Sequence, residues 1–398
     1  MSSASSSASD KRLIYFDHAA TSLPKPAAVA SAMLACLNDI GASPGRSGHR
    51  LSIEAGRIVF NTRESLARLF NVADPLRVVF TLNATEGMNL ALKGVLRPGD
   101  HAITSGMEHN SVMRPLRELE KNGVEVTVAS CSSCGRLDPM DVEKAIRTNT
   151  RVVVLNHASN VTGLLMPVRE AGRICRERDL LLVVDAAQTG GSVPIDVNAD
   201  FIDLLAFTGH KGLFGPQGTG GLVIGERVDL RSFKPLKQGG TGSRSEYEIH
   251  PGFLPDLCEA GTPNTPGIAG LGAGVDFVLA ETVEKIHARQ VTLITRLIDR
   301  IAEIPGLKIT GERRPEVPTV SFNIEGLAPS EVGLILDEEY GILCRVGLHC
   351  APAAHRTLGT FPDGAVRFGL GYFTREEEID YAASALAEIA RGRFTSGM

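Results

Sequence analysis

The chain has 398 residues, of which 43% are hydrophobic and 22% are charged, and its formal net charge is −5 at pH 7. This length allows two or three domains with a large buried core. No basic block indicates nucleic-acid binding, and no apolar run reaches the ~18 to 20 residues that a membrane-spanning helix requires. We therefore expect neither nucleic acid nor a membrane as a partner.

The N-terminal segment is rich in Ser and Ala and lacks the apolar core of a secretory signal, which predicts a disordered tail over residues 1–12 and a cytoplasmic location. Seven cysteines, an odd number, indicate reduced thiols. Cys131 and Cys134 form one CxxC pair without further zinc ligands in the neighbouring sequence. A surface loop with two thiols is the favoured interpretation, and no metal site is predicted.

Seven short apolar segments alternate with several amphipathic helical patterns between about residues 77 and 225. They are RVVF from Arg77, HAIT from His101, VEVTVA from Val124, RVVVL from Arg151, LLVVD from Leu181, DLLAF from Asp203 and GGLVIG from Gly220. This alternation predicts an α/β fold with a mostly parallel, seven-stranded sheet covered by helices on both faces. A loop joins the last two segments, so an antiparallel strand is allowed there.

A long helical pattern over about 268–304 ends at Pro305 and Gly306 and leads into a different arrangement. The segments LKIT, TVSFNI, ILCRVG and AVRFGLG alternate with helical patterns, which predicts a smaller α+β domain. The expected organisation is a large domain over residues 13–270 and a small domain over 271–398, entered through the long helix. The N-terminal segment is expected to pack with the small domain.

Polar residues follow five of the predicted strands, at the carboxyl ends where open α/β sheets bind ligands. They are Thr85, Glu86, His109, Asn160, Asp185 and the run from Thr208 to Lys211. Their recurrence at one edge of the sheet predicts a single ligand site.

Asp185 and Lys211 are separated by about one βα unit, as the chemistry of pyridoxal phosphate (PLP) requires. A lysine amine condenses with the cofactor aldehyde, and a carboxylate keeps the pyridine nitrogen protonated. Gln188, one helical turn after Asp185, can donate to the phenolic oxygen of the cofactor. Considered alone, Asp185 is also compatible with a helix cap, Gln188 with an exposed helix residue and Lys211 with a surface loop.

Three sequence features suit a phosphate or an aromatic ring. Thr208 and His210 lie three residues and one residue before Lys211. The run from Asn83 to Gly87 begins a helix whose N–H groups can bind phosphate, with the Thr85 hydroxyl beside them, unless this segment is an ordinary N-cap. His109 can stack on the ring and transfer protons near neutral pH, although a lone histidine is often structural. Asn160 can hydrogen-bond the ring or a substrate carboxylate.

Two C-terminal residues complete the predicted site. Arg367 lies in the middle of an apolar strand, where a buried guanidinium needs an anion such as the α-carboxylate of an amino acid. Cys350 lies among His349, Pro352 and His355 and is a candidate nucleophile. An inert small residue is the alternative interpretation of Cys350.

These motifs resemble the cysteine desulfurases of the class V aminotransferase group, which are fold type I PLP enzymes. The resemblance covers nearly the whole chain after the tail. It runs through YFDHAATS, NATEGMN, MEHNS, SNVTG, VDAAQTGGSVPIDV, FTGHKGLFGPQGTGGL, EAGTPN, RVGLHCAP and VRFGLGYFTREEEID. The compact RVGLHCAP loop is similar to the branch that includes Suf-type desulfurases and selenocysteine lyases. DHAAT replaces the usual DNAAT, and Gly369 lacks the hydroxyl that is common in the arginine motif, which leaves substrate preference open.

The resemblance implies three groups of site residues. The catalytic group is Lys211, Cys350 and His109. The cofactor-binding group is Thr85, Glu86, His109, Asn160, Asp185, Gln188, Thr208, His210, Lys211 and Thr262. The substrate-binding group is Arg367, Asn160, Ala20 and His49. Thr262 would reach the phosphate of the neighbouring subunit, which implies a homodimer with shared active sites.

The activity that the resemblance implies is conversion of L-cysteine to L-alanine, with sulfur held as a persulfide on Cys350. The sulfur would pass to an acceptor protein of the SufE, SufU or IscU type, for iron–sulfur cluster or thio-cofactor assembly. A selenocysteine lyase, a cysteine sulfinate lyase, another PLP-dependent C–S lyase and an aminotransferase of the same fold stay open. A PLP-binding scaffold without catalysis is the alternative of another class.

Overall fold

The computed structural model describes residues 13–45 and 48–394, so the predicted tail over residues 1–12 lies outside the described residues. The strands are β1 (Ile14–Tyr15), β2 (Val78–Thr81), β3 (His101–Ser105), β4 (Glu125–Ala129), β5 (Thr150–Asn156), β6 (Leu181–Asp185), β7 (Leu204–Thr208), β8 (Gly220–Ile224), β9 (Leu307–Thr310), β10 (Thr319–Ile324), β11 (Ile342–Leu343), β12 (Arg345–Gly347) and β13 (Ala365–Gly369). The α-helices are α1 (Ala27–Ala35), α2 (Arg50–Phe70), α3 (Ala84–Val95), α4 (Asn110–Lys121), α5 (Pro139–Lys144), α6 (Val168–Glu177), α7 (Thr265–Glu281), α8 (Val283–Ile301), α9 (Pro329–Glu338), α10 (Pro352–Thr357) and α11 (Glu376–Phe394).

The large sheet contains all seven predicted strands in the order β2-β8-β7-β6-β5-β3-β4. Strand β8 runs antiparallel to both β7 and β2, and the remaining neighbours are parallel. The residues of β3, β6, β7 and β8 are buried along their whole length, because two separate apolar clusters cover the two faces of the sheet. The continuous apolar runs in the sequence follow from this double coverage.

The central parallel strands end in register. Asn156 at the end of β5 pairs with Asp185 at the end of β6, and Asp185 pairs with Ala206 near the end of β7. The side chains that follow these strands therefore lie together at one edge of the sheet.

The predicted long helix over 268–304 is two helices, α7 and α8, which meet at 81°. Thr282 breaks the helix because its φ of +69° lies in the left-handed region, and its hydroxyl accepts a hydrogen bond from the Lys285 N–H (3.4 Å), which caps α8. Helix α7 packs on α1 and α2, whereas α8 packs on α11. Helix α7 therefore packs with the large domain, and the change to the packing of the small domain falls at Thr282 rather than at the expected boundary after residue 270.

Within the part of the chain that is described, no single helix is long and apolar enough to cross a membrane. Only α7 and α8 taken together, across their bend, meet such a criterion of length and composition. The apolar side chains of α7, including Leu271 and Val275, are buried in the core beside the large sheet.

The C-terminal elements form a smaller α+β unit around an antiparallel sheet of order β12-β13-β10-β9. The N-terminal strand β1 joins this unit by pairing in parallel with β11, and Phe16 packs against Phe368 with a ring separation of 5.1 Å. The Gly369 N–H also donates to the Phe16 carbonyl at 2.7 Å. This packing places Asp17 next to β13, where it reaches the functional site.

Candidate active site

A cavity of about 230 Å³ opens at the carboxyl ends of β5, β6 and β7. Eight residues predicted from the sequence line it together. They are Thr85, His109, Asn160, Asp185, Gln188, Thr208, His210 and Lys211. The strand-end pattern therefore does converge on one concave site of the kind that binds cofactors.

Asp185 is held by hydrogen bonds to both carboxylate oxygens. The Ser111 hydroxyl donates to Oδ2 at 2.7 Å, and the Ala187 N–H donates to Oδ1 at 2.9 Å. The residue is only 5% exposed, so its orientation is fixed by these two donors. Ser111 was missed in the sequence, although it belongs to the same MEHNS run as His109.

His109 caps helix α4 and is linked to Asp185 through Ser111. Its Nδ1 accepts a hydrogen bond from the Ser111 N–H at 3.0 Å, which assigns the ring proton to Nε2. Burial lowers the pKa of His109 to about 4, against the opposing attraction of Asp185. The ring is therefore neutral at pH 7 and suited to stack on an aromatic ligand and donate from Nε2.

Lys211 lies at the wall of the cavity among charged neighbours. Burial, and after it the positive charge of the nearby Arg367, lower its pKa to about 8, while Asp185 acts in the opposite sense. At pH 7 roughly a tenth of the amine is then neutral, the form that condenses with an aldehyde.

Four buried polar atoms on residues that line the cavity have no hydrogen-bond partner among the described residues. They are Asn156 Oδ1, Asn160 Oδ1, Thr208 Oγ1 and His210 Nδ1. Because an unpaired buried polar atom costs roughly 1–3 kcal/mol, such a group indicates a polar ligand. A Cβ at Gly209 would collide with the Thr219 side chain, so glycine is needed between Thr208 and His210.

The chemistry of this lining fits one kind of ligand. Thr208, His210 and the N-terminus of α3 suit an anionic group, Lys211 suits an aldehyde and Asp185 suits a protonated ring nitrogen. Gln188 is oriented by its Nε2, which donates to the Ala19 carbonyl at 3.1 Å.

Arg367 is 2% exposed, as its apolar surroundings predict, but its anionic partner is part of the protein. Its Nη2 donates to Asp17 Oδ1 at 2.8 Å and its Nη1 donates to the Asn160 carbonyl at 3.2 Å. The N-terminal segment therefore supplies an anion to Arg367 within the chain, and binding of a substrate carboxylate by Arg367 stays a prediction. The Arg367 Nε is buried and has no hydrogen-bond partner among the described residues.

Cys350 lies on a strained turn between β12 and α10. His349 and Cys350 have φ values of +50° and +57°, a left-handed conformation that costs about 1 kcal/mol or more in each non-glycine residue. Residues of the site bind both backbone carbonyls of this turn. The Asn110 N–H donates to the Cys350 carbonyl and the Asn160 Nδ2 donates to the His349 carbonyl, each at 2.8 Å. The turn therefore depends on site residues for its shape.

The thiol of Cys350 is exposed and lies in a recess of about 400 Å³ that is also lined by Thr85, His109 and Ser111. These three residues line the main cavity as well, so the recess and the cavity adjoin. Arg345, which was not singled out in the sequence, places its Nη2 3.6 Å from the Cys350 sulfur.

Besides Arg367 and Cys350, four predicted residues do not line the main cavity in this chain. Glu86 and Thr262 line a second cavity of about 120 Å³, where Glu86 pairs with Lys237 at 2.7 Å. Glu86 Oε2 also accepts a hydrogen bond from the Leu82 N–H at 2.6 Å, which orients the Glu86 side chain toward the segment that precedes α3. His49 is an exposed cap of α2, and Ala20 lies in a turn closed by the Asp17 carbonyl.

Buried histidines make the stability of the fold sensitive to acid. In five histidines, burial lowers the pKa of the ring from 6.5 to about 4. These are His18, His109, His157, His210 and His355. Between pH 6.5 and 4 the unfolded chain binds more protons at these positions, so stability rises with pH there. Glu108 has the opposite effect, because burial raises its pKa to about 8 and the folded state keeps its proton.

We expect the free energy of unfolding in urea to decrease when the pH is lowered from 6.5 to 5, by up to ~1.4 kcal/mol per pH unit for each such histidine. Replacing Glu108 by Gln removes the opposing titration and should make this pH dependence steeper. Equal unfolding free energies at the two pH values would contradict the assignment of neutral, buried rings.

Comparison with known proteins gives one consistent result. The profile of the aminotransferase class V family matches residues 14–382. The chain is 34% identical over 383 residues to a probable cysteine desulfurase of Methanothermobacter thermautotrophicus, covering 95% of this chain and 94% of that protein. It is 33% identical to the cysteine desulfurase IscS of Photobacterium profundum, covering 94% and 91% of the two chains.

Solved structures agree with these relatives. The apo cysteine desulfurase of Thermococcus onnurineus superposes with a TM-score of 0.89 at 32% identity, covering 96% of this chain and 95% of that one. The cysteine desulfurase CsdA of Escherichia coli superposes with a TM-score of 0.83 at 28% identity, with 94% of each chain covered.

Proposed function

Because the chain belongs to the aminotransferase class V family, we propose that it is a PLP-dependent cysteine desulfurase that stores sulfur as a persulfide on Cys350. The observation that carries the proposal is the adjacency of two recesses. One contains Lys211 and Asp185, the other contains the Cys350 thiol, and His109 and Ser111 line both.

The lining of the main cavity fits PLP by its unpaired polar atoms and its charges. Lys211 would hold the aldehyde, Asp185 the ring nitrogen, and Thr208 and His210 the phosphate. When bound, PLP supplies an electron sink that makes the Cα proton of an amino acid acidic.

The residues of the chain would act on the substrate in three ways. The Lys211 amine, with a pKa of about 8, accepts the Cα proton. Asp185, fixed by Ser111, holds the charge of the ring nitrogen in place. Arg367 would bind the substrate carboxylate through its guanidinium group in exchange for Asp17.

Cys350 would accept the sulfur. Its thiolate attacks the substrate sulfur, an S–S bond forms, and the carbon–sulfur bond breaks with its electron pair going to the carbon that becomes the alanine methyl group after protonation. Arg345, whose Nη2 is 3.6 Å from the sulfur, provides a positive charge beside this thiolate.

A homodimer with shared sites is part of the proposal. Exposed apolar side chains on the N-terminal helical region, Leu34, Leu37, Ile53 and Phe60, support an interface there. Glu86 and Thr262 lie together in the second cavity, away from the Lys211 site of their own chain. In the proposed homodimer, these two residues would contact the active site of the partner subunit.

The experiment that tests the function compares Cys350→Ser with Cys344→Ser in the PLP-loaded protein. We expect alanine formation from cysteine to fall at least ~10²-fold in the first variant, because the sulfur acceptor is lost. Cys344 is a nearby thiol whose pKa burial raises to about 12, so its loss should leave turnover within about twofold. Full alanine formation by Cys350→Ser would exclude persulfide chemistry and favour a C–S lyase.

A further inference from the structure

A groove of about 700 Å³ lies between helices α4 and α10 on the outer side of the molecule. Its lining includes Val128 of β4, the strand at the edge of the large sheet, together with Met113 and Pro352. Val128 is 37% exposed and contributes apolar surface to the groove. We call this feature the α4–α10 groove.

The α4–α10 groove is continuous with the recess that contains Cys350. Asn110, Arg114 and Glu118 line both, and the Asn110 N–H holds the Cys350 carbonyl at 2.8 Å. A ligand that extends along the groove past these three residues would therefore enter the recess that contains the thiol.

The charges of the groove are mainly positive, although the chain as a whole carries −5. Arg117 pairs with Glu120 and Lys121 pairs with Glu118, at 2.7 and 2.8 Å. Arg114 and Arg356, by contrast, have no ion-pair partner in the parts of the chain that are described.

These two arginines lie on opposite walls, Arg114 on α4 and Arg356 on α10. Arg356 contacts the ring of Phe361 at 4.2 Å, which leaves the edge of its guanidinium able to bind carboxylates. An uncompensated positive surface of this kind attracts and orients an anionic partner.

We propose that the α4–α10 groove binds an acidic, cysteine-bearing segment of a sulfur-acceptor protein. This inference rests on the proposed function. The apolar surface and the edge strand favour a polypeptide over a small anionic thiol, because an extended segment can cover Val128 and Met113 while its carboxylates reach Arg114 and Arg356.

The transfer step is balanced without an external oxidant. The thiolate of the acceptor attacks the outer sulfur of the Cys350 persulfide, a new S–S bond forms, and the bond between the two persulfide sulfurs breaks. Cys350 leaves as a thiolate, and the acceptor carries the persulfide.

The test measures sulfur transfer from Cys350. PLP-loaded protein is first treated with cysteine so that the Cys350 persulfide forms, and the remaining cysteine is then removed. The probes are blocked peptides with one cysteine flanked by aspartates, by serines or by lysines, and the product is persulfidated peptide quantified by mass spectrometry. We expect the aspartate peptide to be persulfidated about 10-fold faster than the lysine peptide at low salt, with the difference shrinking at high salt.

The double variant R114E/R356E should remove or reverse this preference, and R114Q/R356Q should reduce it. The control for a single charge reversal is R231E, at an exposed arginine outside the groove. All peptides are compared on the same preparation of persulfidated protein. Differences between variants in the amount of persulfide therefore do not affect the ratio of the transfer rates to the aspartate and lysine peptides.

Three results would overturn the inference. The first is an equal rate of sulfur transfer to the aspartate and lysine peptides, and the second is an unchanged preference in R114E/R356E. The third is faster transfer to glutathione than to the aspartate peptide, which would indicate a small anionic thiol as the acceptor. Each of these is observed on protein that has formed the persulfide. Failure of the proposed function is a different outcome, in which no persulfide forms on Cys350.

Discussion

Replacing Lys211 by Ala is expected to lower alanine formation from cysteine by about 10³-fold or more. The variant loses both the amine that would hold the cofactor aldehyde and the base that would take the Cα proton. Kinetic assays with excess PLP, together with mass spectrometry of borohydride-reduced protein, measure the two losses separately. The reduced wild-type protein should carry the cofactor on the peptide that contains Lys211.

Lys25 is the matched control for this change. Its pKa is also lowered to about 8 by burial, and its amine donates to the His210 carbonyl at 3.3 Å, so it is a second lysine beside the site. Lys25→Ala should lose at most about 10-fold in turnover, through a small shift of His210. Retention of a tenth or more of wild-type activity by Lys211→Ala would mean that another amine is the base.

Replacing Asp185 by Asn should lower kcat by about 10²- to 10³-fold with little loss of stability. The amide keeps the size of the carboxylate and can still accept a hydrogen bond, from Ser111 or from the Ala187 N–H, but it lacks the negative charge opposite the ring nitrogen. The steady-state kinetics of alanine formation and the midpoint of urea unfolding distinguish these two effects.

Asp203→Asn is the control, because Asp203 is an equally buried carboxylate that directly precedes β7, at the ends of the parallel strands opposite to the site. It accepts from the Leu182 N–H at 2.9 Å and pairs with Arg227 at 3.1 Å. We expect this variant to be destabilised while its kcat is retained. If Asp185→Asn instead lost stability and kept its kcat, Asp185 would be a structural cap.

Much of the fold could be predicted because the large sheet is buried on both faces. Strands such as β6 must then be continuously apolar, and the polar residue that ends each of them, such as Asp185, indicates the edge of the sheet where ligands bind. The same reasoning identified His109 and Lys211 as site residues.

Other features depend on contacts between distant parts of the chain and carried no local signal. Asp17 and Arg367 are 350 positions apart and meet only because β1 joins the small unit. The importance of Ser111 follows from its bond to Asp185, 74 positions away. The break at Thr282 was missed because the helical pattern continues on both sides of a single residue with positive φ.

Side-chain direction at helix starts was also beyond sequence reasoning. Thr85 and Glu86 are adjacent, yet Thr85 faces the main cavity and Glu86 faces the second one. Asn83 caps α3 by accepting from the Glu86 N–H at 3.0 Å, and the two side chains leave this first helical turn toward different cavities.

Mass spectrometry of PLP-loaded protein after a single exposure to cysteine tests the central claim most directly. The account predicts a mass increase of about 32 Da, one sulfur atom, on the peptide that contains Cys350, with one alanine released for each sulfur bound. Release of alanine with no added mass on that peptide, or with the sulfur on Cys344 instead, would contradict it.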